Sequence, residues 1–358
     1  MSGFEYGNAR LRAMRSRLLP RSMLAQLTET RSLPEFIGLF AQTPYRKSLE
    51  VALVQASDLE SIYEALRRDF VDTIARVRGF YDGSERKLID LILRQYDVHN
   101  LKTVLRGLSH HAQQIDIDTT LLPTCDLPEP LLNELLHASS PRGAIDLLAT
   151  IRHPFAQPLL TLRAEQPGAE LADMERALDR WRFNEAARSL QGEQEEGRTV
   201  MAALRLDVDI QNILLALRLI RYPAEQQVLK MRLGRSGLGG VVAAEGNIPI
   251  AQLERMIATK SLIAAIDLLA GTVYHAALQE GRLAYSRSSL LSEYERALLR
   301  YRLRWLSAQL VRDPLGIGVV LGYLAEKANE ITNLRRAARG VQMKQPPEMI
   351  HVEMEFVQ

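Results

Sequence analysis

Three sets of an acid, an asparagine and an arginine recur along this chain at one spacing. They read Asp97-x-x-Asn100-Leu101-x4-Arg106, Asp209-x-x-Asn212-Ile213-x4-Arg218 and Glu330-x-x-Asn333-Leu334-x4-Arg339. As a catalytic trio the set would occur three times, which does not suit a single active site. As polar groups that pack helices together, one set per copy is what an internal repeat produces. The recurrence therefore points to structure rather than to catalysis.

The other residues with chemical potential are isolated. Histidines stand at His99, His110, His111, His137, His153, His275 and His351. None lies three or four residues from a second His or a Cys, and no HExxH occurs, so the spacing of a zinc site is missing. Asp116 and Asp118 lack the glycine and the later glutamate of a calcium loop. The single Cys125 excludes an intramolecular disulfide, and Asp126 beside it disfavours a thiolate. The run from Gly234 to Gly240 lacks the Lys-Ser/Thr ending of a phosphate loop and reads as a linker. No GxSxG elbow is present. The sequence predicts no catalytic residue, no metal and no cofactor.

Positive charge gathers near the N-terminus at Arg10, Arg12, Arg15, Arg17 and Arg21, against Glu5. These arginines could meet phosphates of nucleic acid or lipid. Alternatively they pair with acids on other helices or on a partner. The second reading fits better, because arginines recur through the whole chain and aromatics are not interleaved with these ones as in a stacking platform. Arg10, Arg12, Arg15 and Arg17 are accordingly the candidate contacts to a protein partner.

The elements that must position these residues are helices. Leu101, Val104, Leu105 and Leu108 fall at i, i+3, i+4, i+7, as do Ile213, Ala216, Leu217 and Ile220, and Leu334, Ala337, Ala338 and Val341. Each set is one apolar stripe of an amphipathic helix. The acid before each stripe is expected in the first turn, where the helix dipole favours it. The asparagine flanks the stripe, and the arginine projects from nearly the opposite face. Prolines 20, 128 and 249, each followed four residues later by leucine, read as helix starts. Runs 58–78, 170–190 and 290–311 read as further helices, and strand signals are nearly absent. Linkers are expected at 113–126 and 233–248, a polar loop at 191–197, and a tail from 343 that carries Pro346-Pro347.

The same anchors define a repeat. Each proline precedes by 21 residues an alanine that closes a similar apolar run, Ala41, Ala149 and Ala270. Ala65, Ala177 and Ala297 precede the three asparagines by 35, 35 and 36 residues. The period, 108 to 121 residues, far exceeds that of a solenoid repeat, so each copy is a small domain. The expected units are 1–115 with the basic N-terminal helix, 116–238 and 239–358. A 358-residue chain that is 47% hydrophobic and 25% charged has the apolar material for such cores. A net charge of +2 favours no class of partner. No stretch reaches the roughly 18 apolar residues of a membrane span, and no signal peptide is evident.

The opening Phe4-Glu-Tyr-Gly-Asn8-Ala-Arg10-Leu-Arg12-Ala-Met14-Arg-Ser16-Arg-Leu-Leu19 resembles the start of the C-type subunits of archaeal and bacterial V-type (A-type) ATPases, relatives of the eukaryotic d-type subunit. The closing Gly318-Val-Val-Leu-Gly322-Tyr-Leu-Ala-Glu326-Lys-Ala-Asn-Glu330-Ile-Thr-Asn333-Leu-Arg335 and the later Pro347-Glu-Met-Ile350 resemble that family's tyrosine helix and tail. Gly7 departs from it, standing where a bulky residue is expected, and Ala328-Asn329 interrupt the acidic stretch before Glu330. The resemblance runs from Tyr6 to Ile350. It implies an all-α, funnel-shaped protein of three similar helical units about a pseudo-threefold axis. The implied function is non-catalytic: a rotor adaptor on the cytoplasmic face of the membrane, between the proteolipid ring (c or K type) and the D-type and F-type subunits of the central stalk. It would couple ATP synthesis or hydrolysis to transport of protons or sodium ions. The alternative is a helical-repeat scaffold that binds nucleic acid through its N-terminal arginines.

Overall fold

A computed structural model of the chain describes residues 3–54, 57–110, 120–122, 126–192, 195–225, 227, 242 and 244–356. His111, Asp116, Asp118, Cys125 and Gly234 to Gly240 lie outside the described residues, as does most of both expected linkers. Among the described residues there is no strand, and the fold is all-α. In chain order the helices are α1 (Glu5–Arg15), α2 (Arg21–Thr28), α3 (Leu33–Phe40), α4 (Arg46–Ala52), α5 (Leu59–Gly79) and α6 (Gly83–Ser109). Next come α7 (Glu129–Leu136), α8 (Pro141–Thr150), α9 (Ala156–Glu165), α10 (Leu171–Ser189) and α11 (Glu195–Arg221). The last are α12 (Ile250–Ala258), α13 (Leu262–Asp267), α14 (His275–Ser288), α15 (Ser292–Arg312), α16 (Gly318–Gln342) and α17 (Pro347–Glu353).

The chain folds as two compact units. Unit 1 joins residues 1–144 to 306–358, so both ends of the chain share one core; unit 2 holds 145–305. In unit 1, α16 packs on α1, α2, α3 and α5. In unit 2, α11 packs on α12 and α13, around Ile213, Leu217, Leu253, Met256, Ile266, Tyr274 and Leu298. Each such side chain contributes roughly 1.5–3 kcal/mol by leaving water. All three expected stripes are buried or partly buried, and Arg106, Arg218 and Arg339 are exposed on the opposite faces.

The three prolines start helices as expected. Pro20, Pro128 and Pro249 are the N-caps of α2, α7 and α12, all with extended backbone. None has a side-chain cap, since proline has none to give. Twelve residues after each proline stands a serine that does cap: Ser32, Ser140 and Ser261 accept from the amides of Glu35, Gly143 and Ala264 at 3.4, 3.2 and 3.4 Å.

Two expectations are corrected. Asp97, Asp209 and Glu330 are not in first turns; they lie in the middle of α6, α11 and α16. Apolar residues such as Leu88 to Ile92, Val200 to Leu206 and Val319 to Leu324 carry each helix far ahead of its acid, so the dipole at the helix start has no part in holding it. The polar run 191–197 is not all loop either: α11 begins at Glu195, whose acidic pair with Glu196 suits a first turn.

Candidate functional site

The mid-helix acids and asparagines clasp backbone. The Asp97 carboxylate accepts the amide of Leu127 at 3.0 Å, the residue before Pro128. The Asp209 carboxylate accepts the amide of Ile248 at 3.0 Å, before Pro249. That of Glu330 accepts the amide of Leu19, before Pro20. Each asparagine grips a second backbone segment. Asn100 donates to the Leu122 carbonyl at 2.6 Å and accepts its amide at 2.8 Å. Asn333 does the same at Glu355, at 2.7 and 3.1 Å, and Asn212 donates to the Ala244 carbonyl at 3.0 Å. All six side chains are buried. Proline forces the preceding residue into extended backbone, which leaves an amide without a helical partner, and the acid supplies one.

Tyrosines complete two of the clasps. Tyr274 donates to Asp209 at 2.6 Å, and Tyr45 donates to Glu330. Burial first, and then the negative charge of Glu330 and Asp69, push the Tyr45 phenol well up; burial and the Asp209 bond do the same for Tyr274. Both phenols therefore stay protonated and act as donors. Tyr45 and Tyr274 are the N-caps of α4 and α14, and the N-cap of α9 is Phe155, which has no hydroxyl to give. Asp209 also accepts from Asn247 amide and side chain, both at 2.9 Å. Gly246 permits this approach: a Cβ there would lie 2.1 Å from Asp209 Oδ1.

Around Glu330 the network is ionic. Lys327 Nζ lies 3.2 Å from Glu330 and 2.8 Å from Asp69 on α5, and it donates to the Tyr45 hydroxyl at 2.8 Å. The Asp69 contact is a charge contact without hydrogen-bond alignment, since that oxygen is buried and has no aligned donor. One turn earlier, Glu326 takes Arg15 in a two-pronged bond at 2.6 and 3.0 Å. The interruption at Ala328-Asn329 has a use, because Asn329 joins Asn333 on the Glu355 carbonyl at 2.8 Å.

The N-terminal arginines have separate fates. Arg15 pairs with Glu326, Arg12 donates to the Pro314 carbonyl, and Arg10 donates to the Tyr6 hydroxyl at 2.7 Å. Arg17 is exposed and makes no side-chain bond to a described residue. Gly7 is required by its neighbour: a Cβ would lie 2.2 Å from the ring of Tyr81, whose hydroxyl donates to Asn8 at 2.7 Å. The asparagines and arginines of the repeated sets are not brought together. Arg218 instead reaches Glu225 at 2.7 Å. Sequence reasoning missed Tyr45, Tyr274, Asp69, Lys327 and the three serines. The serines had a signal, a constant offset of 12 residues from each proline. Lys327 and Asp69 had none.

Among the described residues, no group of three His, Cys, Asp or Glu side chains is placed to hold a metal, and no helix is long and apolar enough to cross a membrane. What the fold and its clasps define is an all-helical protein built on long, internally stapled helices. The family model for the ATP synthase (C/AC39) subunit matches residues 7–353, and the chain belongs to that family. It is similar to the C-type subunit of the A-type ATP synthase of Methanococcoides burtonii, 26% identical over 342 residues, which cover 95% of this chain and 90% of that one. It is also similar to the C-type subunit of the A-type ATP synthase of Pyrococcus horikoshii, 24% identical over 97% of this chain and 89% of the relative. A third relative is the C-type subunit of the V-type ATP synthase of Deinococcus radiodurans, 23% identical over 98% and 91%.

Proposed function

We propose that this chain is the non-catalytic adaptor of a rotary ATP synthase or ATPase, joining the central stalk to the proteolipid ring on the cytoplasmic face of the membrane. On this reading it passes torque between ATP chemistry in the head and ion movement through the ring, and it takes no cofactor or small substrate. The observation that carries the reading is the recurring clasp. Long helices bolted by buried carboxylates and amides to proline-set turns deform little under load, because close-packed interiors transmit strain. The clasps also support a triplicated architecture of units 1–115, 116–238 and 239–358. Each acid–asparagine helix would hold the entrance to the next proline-anchored segment, with α16 returning to the first.

A tagged chain recovered from mildly solubilised membranes tests this. The reading expects the proteolipid ring and the stalk proteins to come with it, and expects Asn333→Ala with Arg339→Ala to weaken ion pumping or assembly. Recovery of neither partner, or of nucleic acid in their place, would overturn it.

A further inference from the structure

We propose that the outer face of α1, built on Tyr6, Arg10 and Arg17, docks a carboxylate-bearing segment of a neighbouring subunit. The inference rests on the reading of the chain as a subunit of a rotary ATP synthase or ATPase, which supplies that neighbour. Of the four arginines expected to meet a partner, two are spent inside the fold: Arg12 on the Pro314 carbonyl and Arg15 on Glu326. Arg10 and Arg17 remain, both exposed. Arg10 has no carboxylate partner among the described residues, and Arg17 makes no side-chain bond to one. They stand seven residues apart, which puts them on the same side of the helix and about 10 Å apart along its axis. The winding carries on past the end of α1, where the Arg17 amide donates to the Met14 carbonyl at 3.1 Å and the Leu18 amide to the Arg15 carbonyl at 3.0 Å.

Arg10 is held in place without being neutralised. Its guanidinium donates to the Tyr6 hydroxyl at 2.7 Å and lies 5.1 Å from the Tyr6 ring centroid and 5.8 Å from that of Phe80, between α5 and α6. A guanidinium has five N–H donors, so one bond to a phenol leaves the rest of the fork open to a carboxylate. Tyr6 beside it is 62% exposed. The backing is firm: Phe4 and Leu11 are buried, and Asn8 donates to the Gly316 carbonyl at 3.0 Å and accepts from Tyr81 at 2.7 Å. Tyrosine and arginine on a rigid support are the residues that carry binding energy at protein interfaces. An arginine already fixed also loses less freedom when a partner arrives. The kind of partner follows from charge. Exposed Glu5, next to Tyr6, and exposed Asp82, two residues after Phe80, interrupt the positive field that a phosphate backbone or an anionic membrane requires. A carboxylate needs only the fork.

The test uses the full chain in the assembled complex, with a benzoylphenylalanine photoprobe in place of Tyr6. Irradiation followed by mass spectrometry should join it to one neighbouring subunit, at a segment with Asp or Glu within about one helical turn of the crosslink. No crosslink to protein, or a crosslink to RNA or lipid instead, would overturn the docking face. Arg10→Glu with Arg17→Glu, both at exposed positions, should loosen the chain's hold on the complex about tenfold, a loss of about 1.4 kcal/mol. Unchanged helical circular dichroism shows that this variant folds. Changing the crosslinked acid of the neighbour to lysine should restore the hold. Equal retention of variant and wild type, or no rescue by the charge swap, would overturn the proposal. The wild-type chain separates the two readings. If it recovers ring and stalk while the photoprobe stays unattached, the docking face alone fails. If it recovers neither, the adaptor reading fails and the docking face with it.

Discussion

Asp209 in unit 2 is ringed by neutral donors, whereas Glu330 in unit 1 shares its oxygens with a lysine. Asp209 takes two backbone amides, a side-chain amide and a phenol, all within 3.0 Å. Its partners Asn247 and Ile248 are neighbours in sequence, held in register by the turn at Gly246. Glu330 and Asn333 grip Leu19 and Glu355, which come from opposite ends of the chain. There no continuous linker presents the donors together, and the ion pairs of Lys327 with Glu330 and Asp69 stand in addition to the hydrogen bonds. Oriented dipoles suffice where the backbone is continuous; where two chain ends meet, the fold adds charge.

That comparison breaks most sharply at Lys327. Lys327→Ala leaves two enclosed carboxylates unpaired and should cost about 3–5 kcal/mol in denaturant unfolding. Lys327→Met combined with Glu330→Gln should recover part of that loss, because Glu330 then needs no counter-charge while Asp69 still lacks one. Next comes Asp209→Ala, which strands several donors and should cost about 3 kcal/mol. Hydrogen exchange distinguishes the two clasps. The Asp209 variant should deprotect the Ile248 amide and spare Leu19, and the Lys327 variant should do the reverse. Equal deprotection of both amides by either variant would erase the distinction.

Smaller effects sharpen the unit 1 side. Gly7→Ala forces the buried Tyr81 ring to move and should cost about 1–3 kcal/mol, read from the midpoint of chemical unfolding. The smallest concerns pH. The folded His99 binds its proton less readily than the unfolded side chain, whose ordinary value is 6.5. The unfolded chain then holds more protons as pH falls through 6.5, so stability drops on the acid side and recovers above it. His99→Asn should flatten that slope, and titrated unfolding midpoints from pH 5 to pH 8 would measure it.

Much of this fold was legible in the residues. Stripes at the helical period gave α6, α11 and α16 their buried faces and exposed arginines, and the prolines marked three helix starts. The acids sit deeper than expected because apolar residues behind Asn100, Asn212 and Asn333 extend the same helices backwards. The clasps were illegible for a different reason. Their partners lie 22 to 311 residues away, at Leu122 or Leu19, and no local pattern announces a carboxylate that waits for the amide before a proline. Lys327 reads as an ordinary surface lysine in the sequence, and only tertiary packing against Tyr45 and Asp69 makes it a buried one.

The adaptor role is tested most directly by removing the chain from an otherwise complete complex and adding it back. ATP hydrolysis and ion uptake are measured together in sealed vesicles. The account predicts that without the chain hydrolysis continues while ATP-driven ion uptake collapses, and that adding the chain restores uptake. Full uptake in its absence would contradict it.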